Sequence, residues 1–274
     1  MNTRPSKSKK KIAFKSILCF GLIGILSLLG CHSNEKVLKV AATPVPHADL
    51  LEIVKSDLET QGVHLKIVEV DDYNLPNRLL FEKQVDANFF QHQPFLDEQN
   101  LRFGYNLKSL VAVHIEPLGL YSRKIKALDE LKEGALVALP SDPTNEARAL
   151  ILLSEVGLVK LKSDRNCNLF TIYDVEENPK HLRFIEVDAA FLPRALADVD
   201  LAVIPANFAL QANLNPAQDA LALENADSPY ANIVVIREED TEKEELQKLK
   251  QALNSDKLRR HIEEKYKNAL LPAF

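Results

Sequence analysis

From residue 37 onward the chain alternates short, nearly continuous apolar runs with amphipathic segments, and this alternation limits the fold more than any other feature. Residues 37–42 read as a strand and 47–59 as a helix with Leu50, Ile53, Val54 and Leu58 on one face; 65–70 read as a second strand. Strands that are apolar on both faces and separated by helices belong to parallel sheets covered on both sides. A helix near 76–83, a strand at 86–90, a helix from Pro94 and a strand at 107–115 continue the pattern. It restarts with a strand at 118–122, a short helix at 128–131, a strand at 135–139 and a helix at 144–156. Strands at 169–173, 183–187, 201–204 and 233–237, helices at 192–197 and 206–212, and one charged helix over 241–267 complete it. The restart predicts a second sheet. The reading is an α/β chain of two lobes, residues 37–116 with 228–274 and residues 117–227, crossing near Glu116-Pro117 and near Asp227-Ser228-Pro229.

The N-terminus is of another kind. Arg4, Lys7, Lys9, Lys10, Lys11 and Lys15 make a basic start, no acidic residue precedes Glu35, and residues 17–30 are an unbroken run of apolar and small residues. That run is shorter than the roughly 20 residues a membrane-spanning helix needs, so residues 1–30 read as a removed signal peptide. It ends in Leu28-Leu29-Gly30-Cys31, which resembles a bacterial lipobox. Lipid on Cys31, with residues 31–36 as linker, would hold the protein at the cell membrane or outer membrane, facing the periplasm or exterior; two or more acyl chains anchor stably where one does not. Loss of residues 1–30 removes six of 34 basic residues and none of the 39 acidic ones, leaving a formal charge of −11. That balance argues against nucleic acid as a partner. Cys19 leaves with the signal and Cys31 carries lipid, so Cys167 remains alone, without an intrachain disulfide or a C-x-x-C site.

Signatures of catalysis are missing: there is no G-x-G-x-x-G, Walker loop, G-x-S-x-G or H-E-x-x-H. His47, His64, His92, His114 and His181 share no short ligand spacing, so neither metal nor cofactor is expected. Three polar constellations fall instead at expected strand ends, where open α/β sheets bind ligands. In the first, Asn88-Phe89-Phe90-Gln91-His92-Gln93-Pro94-Phe95, the two adjacent phenylalanines face opposite ways; one lines a cleft, or all three phenylalanines are core and His92 is a satisfied loop histidine. The second is Ser141-Asp142-Pro143-Thr144-Asn145-Glu146-Ala147-Arg148. Asp142 suits an N-cap and Pro143 the first helical turn. Free amides there with Arg148 would make a carboxylate seat; alternatively Arg148 pairs with Glu146 or a neighbour on a solvated face. The third comprises Asn207 and Asn232, which face the cleft or merely cap and turn the chain.

Together with Thr43-Pro44-Val45-Pro46-His47-Ala48-Asp49, Asp72-Tyr73-Asn74-Leu75-Pro76-Asn77, Ile115-Glu116-Pro117-Leu118-Gly119-Leu120-Tyr121-Ser122, Glu177-Asn178-Pro179-Lys180, Leu192-Pro193-Arg194-Ala195-Leu196 and Ser228-Pro229-Tyr230-Ala231-Asn232, these segments resemble the methionine-binding lipoprotein (NlpA/MetQ) family over essentially the whole mature chain. The resemblance implies a two-lobe, periplasmic-binding-protein-like fold of the second type, with the ligand in the inter-lobe cleft. It implies a non-catalytic function: capture of L- or D-methionine or a close derivative, and delivery to the permease and ATPase subunits of an ABC importer. Carried over by motif, Arg148 would hold the ligand carboxylate, Asn145, Asn207 and Asn232 would help at its polar end, and Tyr73, Phe89, Phe90 and His92 would line the side-chain pocket. Sulfur–aromatic contacts contribute about 0.3–1.5 kcal/mol and burial of such a side chain about 1.5–3 kcal/mol. Nanomolar binding needs about 12 kcal/mol, so the charged end must supply much of the rest.

One departure touches the cleft. Ile204-Pro205-Ala206-Asn207-Phe208 stands where the family usually reads Ile-Asn-Thr-Asn-Tyr, and Ala147 replaces a usual glycine. Either Pro205 and Ala206 reshape a turn, or they alter specificity toward another methionine derivative, a short methionine peptide or a different apolar amino acid. The reading from a different class is a surface lipoprotein with an adhesion or envelope role and a degenerate cleft.

Overall fold

The computed structural model describes residues 36–163, 169–225 and 229–274. The signal segment, Cys31, Cys167 and the crossing at Asp227-Ser228 lie outside the described residues. The first stretch runs β1 (Lys36–Ala42), α1 (Asp49–Thr60), β2 (Val63–Glu69), α2 (Leu75–Phe81), β3 (Ala87–His92), α3 (Gln93–Phe103) and β4 (Leu107–Ile115). The second runs β5 (Gly119–Tyr121), β6 (Leu136–Pro140), α4 (Pro143–Glu155), β7 (Lys160–Leu161), β8 (Val175–Glu177), β9 (Arg183–Val187), α5 (Leu192–Ala195), β10 (Leu201–Ile204), α6 (Ala206–Gln211), α7 (Pro216–Asp219) and β11 (Ala222–Leu223). The chain then returns through β12 (Ala231–Arg237), α8 (Glu244–Leu253), α9 (Asp256–Tyr266) and β13 (Leu271–Pro272).

Among the described residues these strands form a six-stranded sheet in the order β13-β4-β12-β3-β1-β2 and a five-stranded sheet in the order β11-β5-β10-β6-β9, with β7 and β8 a separate ribbon. The fold is the expected two-lobe α/β class, but its sheets are mixed. β1 pairs parallel with β2 and β3, whereas β12 runs antiparallel between β3 and β4. In the other sheet β6 pairs parallel with β9 and β10, and β5 is antiparallel to β10 and β11. In each sheet the antiparallel strand belongs to a segment adjoining a crossing between sheets. A βαβ reading of single strands has no means of showing that reversal.

The alternating apolar pattern goes into packing. Leu50, Leu51, Val54 and Leu58 of α1 are fully buried against Leu38, Val40, Val63 and Leu65 of the first sheet. A similar apolar stripe on α4, formed by Ala149, Leu150, Leu152 and Leu153, covers Val137, Leu139, Leu201 and Val203 of the second. Two expected elements differ. The long C-terminal helix is broken between α8 and α9, where the Ser255 side chain accepts the Leu258 N–H at 3.3 Å and starts a new helix. The break lets Leu246, Leu249 and Leu253 and then Leu258, Ile262 and Tyr266 reach one core. The expected strand over 169–173 is replaced by a turn of 3-10 helix over Ile172–Asp174, because Asp174 and Thr171 close a capping box.

Candidate ligand-binding site

Chemistry-bearing side chains gather where β1, β3, β4, β6 and β10 end and β12 begins, since the antiparallel strand presents its N-terminal end there. Asn232 of β12 lies in register between His92 of β3 and His114 of β4, beside register shifts on both edges. Such irregularities bend a strand and re-aim its side chains. The ends of the two sheets border a space of about 330 Å³, open solvent included, lined by Tyr73, Phe90, His92, Glu116, Asn145, Arg148 and Asn232, with Gln91, Phe95, Pro205 and Ala206.

One wall is aromatic. Tyr73 stands 5.8 Å from Phe90, 5.9 Å from Phe95 and 5.0 Å from Phe208 by ring centroids. Its hydroxyl donates to Asn207 Oδ1 at 2.6 Å, which ties the first sheet's loop to α6 of the second. Burial pushes the Tyr73 phenol well above its ordinary range, so it acts as a neutral donor. Behind the wall a closed amide network, with Asn88 and Gln91 both donating to Asn77 Oδ1 at 2.8 and 2.6 Å, fixes the end of β3.

His92 does two things at once. Its Nδ1 accepts the Phe95 N–H at 3.2 Å and so caps α3, leaving Nε2 to donate to Asn145 Oδ1 at 3.2 Å across the cavity. Burial first, and the nearby Arg148 charge second, lower its pKa from 6.5 to about 3. Below pH 6.5 an unfolded chain takes up a proton at this ring that the folded chain refuses until about pH 3. Stability is therefore lost as pH falls through that window. Relative to His92→Gln, the wild type should lose about 1.4 kcal/mol per pH unit, measured by urea unfolding at a series of pH values; a flat difference would show that the ring is not held neutral.

Arg148 is buried and pairs with Glu224, not with Glu146 on a solvated face. Its Nε donates to Glu224 Oε1 at 2.8 Å, and its Nη2 donates to Glu224 Oε2 at 2.5 Å and to the Glu116 main-chain carbonyl at 2.6 Å. The guanidinium carbon also sits 4.5 Å over the Tyr230 ring. The bidentate edge is thus taken by an acid 76 residues away, and among the described residues nothing accepts from Nη1. In the first turn of α4 the Asp142 side chain accepts the Asn145 N–H at 2.9 Å, so that amide is already capped.

Of the other candidate residues, Asn207 stands one layer behind the cavity, its N–H donating to Glu116 Oε2 at 3.1 Å and its buried Nδ2 unpartnered among the described residues. Phe89 does not line the cavity. It is fully buried in the first core, edge-on to His47 at 4.6 Å and to His114 at 5.5 Å. Sequence reasoning passed over Glu116, Phe95, Gln91 and Glu224 as site residues. Phe95 and Gln91 were within reach, inside the motif that supplied His92.

His47, His114 and Glu116 converge with ligand-type atoms all within 4.8 Å of one another, which spacing in sequence does not reveal. Glu116 Oε1 accepts from His114 Nε2 at 2.7 Å and lies 3.3 Å from His47 Nε2. His47 is further held by Thr43 Oγ1 at 2.6 Å and Asn232 Oδ1 at 3.1 Å. The set has the donor types of a transition-metal site, yet the same atoms close a hydrogen-bonded network by themselves. Burial lowers the His47 pKa to about 4. Burial pushes Glu116 the other way, but His47, His114 and Arg148 outweigh it and hold the carboxyl below its ordinary range.

Among the described residues no helix is long and apolar enough to cross a membrane. A family model described as NlpA lipoprotein matches residues 38–274. The D-methionine-binding lipoprotein MetQ of Salmonella typhi is 43% identical over 252 residues, which is 89% of this chain and 93% of that protein. A nutrient-binding protein from Burkholderia cenocepacia, solved bound to methionine, superposes with a TM-score of 0.84 at 42% identity, covering 86% of this chain and all of the other. A periplasmic substrate-binding protein of an ABC transporter from Coxiella burnetii gives 0.82 at 43% identity, with 86% of this chain and all of the other covered.

Proposed function

This chain belongs to the NlpA lipoprotein family, and from that premise we propose that it is the substrate-binding component of an ABC importer, capturing methionine or a close derivative. The observation that carries the reading is the composition of the space between the sheet ends: an aromatic wall of Tyr73, Phe90 and Phe95 opposite Arg148, Asn145 and Asn232. A thioether is apolar and polarizable and suits the rings. The carboxylate is assigned to the Nη1 side of Arg148, with Glu224 on the opposite edge fixing the guanidinium rather than competing for it. Pro205 and Ala206 face the same space as an apolar surface, which favours a side chain without further hydrogen-bonding groups.

Residues 37–116 with 228–274 are assigned as one moving lobe and 117–227 as the other. A ligand touching both favours their closed arrangement by its differential affinity for it. His92 to Asn145 and Tyr73 to Asn207 are contacts that such closure would make and opening would break. Export, lipid on Cys31 and delivery to a permease and ATPase complete the reading, with no reaction performed.

Calorimetry on the full-length protein in detergent, with L-methionine, D-methionine and methionine dipeptides, is expected to show saturable binding to at least one. Absence of heat with all of them would end the transport reading.

A further inference from the structure

The end of the first sheet opposite the cavity carries a row of aromatic rings. Phe81 closes α2, Phe103 closes α3 and Tyr105 leads into β4. Phe81 lies 4.9 Å from Tyr105 by ring centroids, and Tyr105 stacks on Phe103 at 5.5 Å. Phe81 and Phe103 are 50% and 51% exposed, and Leu101 on the last turn of α3 is 88% exposed. The charges around them are matched in pairs, Arg78 with Glu82 at 2.7 Å, Lys83 with Glu239 at 3.2 Å and Arg102 with Glu98 at 3.8 Å. A patch with rings at its centre and balanced charge at its rim suits a zwitterionic lipid surface, since aromatic side chains favour the layer between headgroups and acyl chains.

The start of β1 singles out that partner. β1 runs parallel to β3, and β12 runs antiparallel to both β3 and β4, so β1, β3 and β4 all begin at the end that bears the rings and finish at the cavity. Val37, half exposed, shares a sheet face with Ala41, whose core includes Leu80 and has Tyr105 packed against it. Asp86 accepts the Lys39 N–H at 2.9 Å, so Lys36 overhangs the start of β3 by three residues, about 10 Å, and Tyr105 stands three strand spacings, about 14 Å, to the side. From Cys31 to Lys36 is five residues, which reach about 18 Å at most whatever their path. The cavity lies beyond the other end of β1, about 20 Å further on.

We propose that Phe81, Tyr105 and Phe103 form a membrane-contact patch, on which the tethered protein rests at the bilayer interface with its cavity opening away from the lipid. The proposal rests on lipid at Cys31 in the reading above and adds an orientation to it. The acyl chains fix where the chain is held; the rings fix which way it lies.

The chain has no tryptophan, so an introduced one reports alone. Phe81→Trp and Phe103→Trp, each in full-length lipidated protein reconstituted on phosphatidylcholine vesicles, are compared with Phe191→Trp. Phe191 follows β9 at the cavity end of the second sheet and is 54% exposed. With lipid brominated in the upper part of its acyl chains, each patch tryptophan is expected to shift to the blue and to lose about half or more of its emission, as a ring entering the roughly 5–10 Å interfacial layer does. Phe191→Trp should keep the emission it has on ordinary lipid. The proposal is overturned if neither patch reporter is quenched in vesicle-bound protein, or if Phe191→Trp is quenched as strongly. A blue shift without quenching would place the rings against another copy of the chain and overturns it equally. Should one patch variant fail to fold, the other decides. Protein that does not float with the vesicles removes the anchor and this proposal together, while the methionine calorimetry stands apart from that result.

Discussion

Replacing Arg148 by alanine is expected to abolish ligand capture and to destabilise the protein as well. A charge-assisted contact to a ligand carboxylate in an enclosed site is worth about 2–5 kcal/mol when one partner is removed, which is roughly 30- to several thousand-fold in affinity. The same truncation takes from Glu224, whose side chain is only 12% exposed, its guanidinium partner and leaves it the Leu118 N–H at 3.3 Å. Breaking a buried pair from one side costs about 3–5 kcal/mol, and loss of stacking over Tyr230 adds to it. Calorimetry with methionine, run beside urea denaturation to establish that the variant is folded, separates the two losses. If folded Arg148→Ala bound methionine within about tenfold of wild type, the carboxylate would have to sit elsewhere.

A second large effect is expected far from the cavity. Arg237 closes β12 with Nη1 donating to the carbonyls of Leu80 and Val85, both at 2.7 Å, and with Nη2 against Asp240 at 2.5 Å. Burial pushes the Asp240 carboxyl up, but Lys243 and Arg237 outweigh burial and hold it below its ordinary value of 3.8. Its contribution to stability is therefore present above that value and is lost as pH falls through the lower folded one. Arg237→Ala takes the side-chain donor from the Leu80 and Val85 carbonyls and leaves the nearly buried Asp240 with Lys243 as its remaining cation, and should cost about 3–5 kcal/mol in urea unfolding at neutral pH. Methionine affinity of the folded fraction should stay unchanged, since Asn232 lies about 17 Å away along the strand. A loss under about 1 kcal/mol would mean that the cluster behaves as a solvated surface pair.

What the sequence made legible divides along physical lines. Local periodicity identified the longer strands and most helices but not the short β7, β8, β11 and β13, and capping chemistry identified the start of α4, because Asp142 and Pro143 act on their own neighbours. The break between α8 and α9 was also written locally, in Asn254-Ser255-Asp256, but an uninterrupted amphipathic stripe across 241–267 masked it. Strand direction was out of reach, since the reversal of β12 follows from where the chain returns. At the site, Tyr73, Phe90, His92, Asn145, Arg148 and Asn232 came from motif resemblance and do converge on one space. Phe89 shows the limit: alternation put it and Phe90 on opposite sides, and only packing against His47 and His114 decided which was core. Glu224 and Glu116 depend on contacts across 76 and 32 residues from Arg148, a separation that no local signal spans.

The position of β12 bears on how the chain is made. It sits in the middle of the six-stranded sheet, between β3 and β4, yet it is synthesised after the entire five-stranded sheet. Until residue 237 has emerged, β3 and β4 each keep an unpaired edge, apolar and prone to wrong partners. The five-stranded sheet has all its strands between residues 119 and 223 and can close first. A chain stopped just short of β12 would present one finished half and one with open strands, a ready substrate for proteases and a target for chaperones.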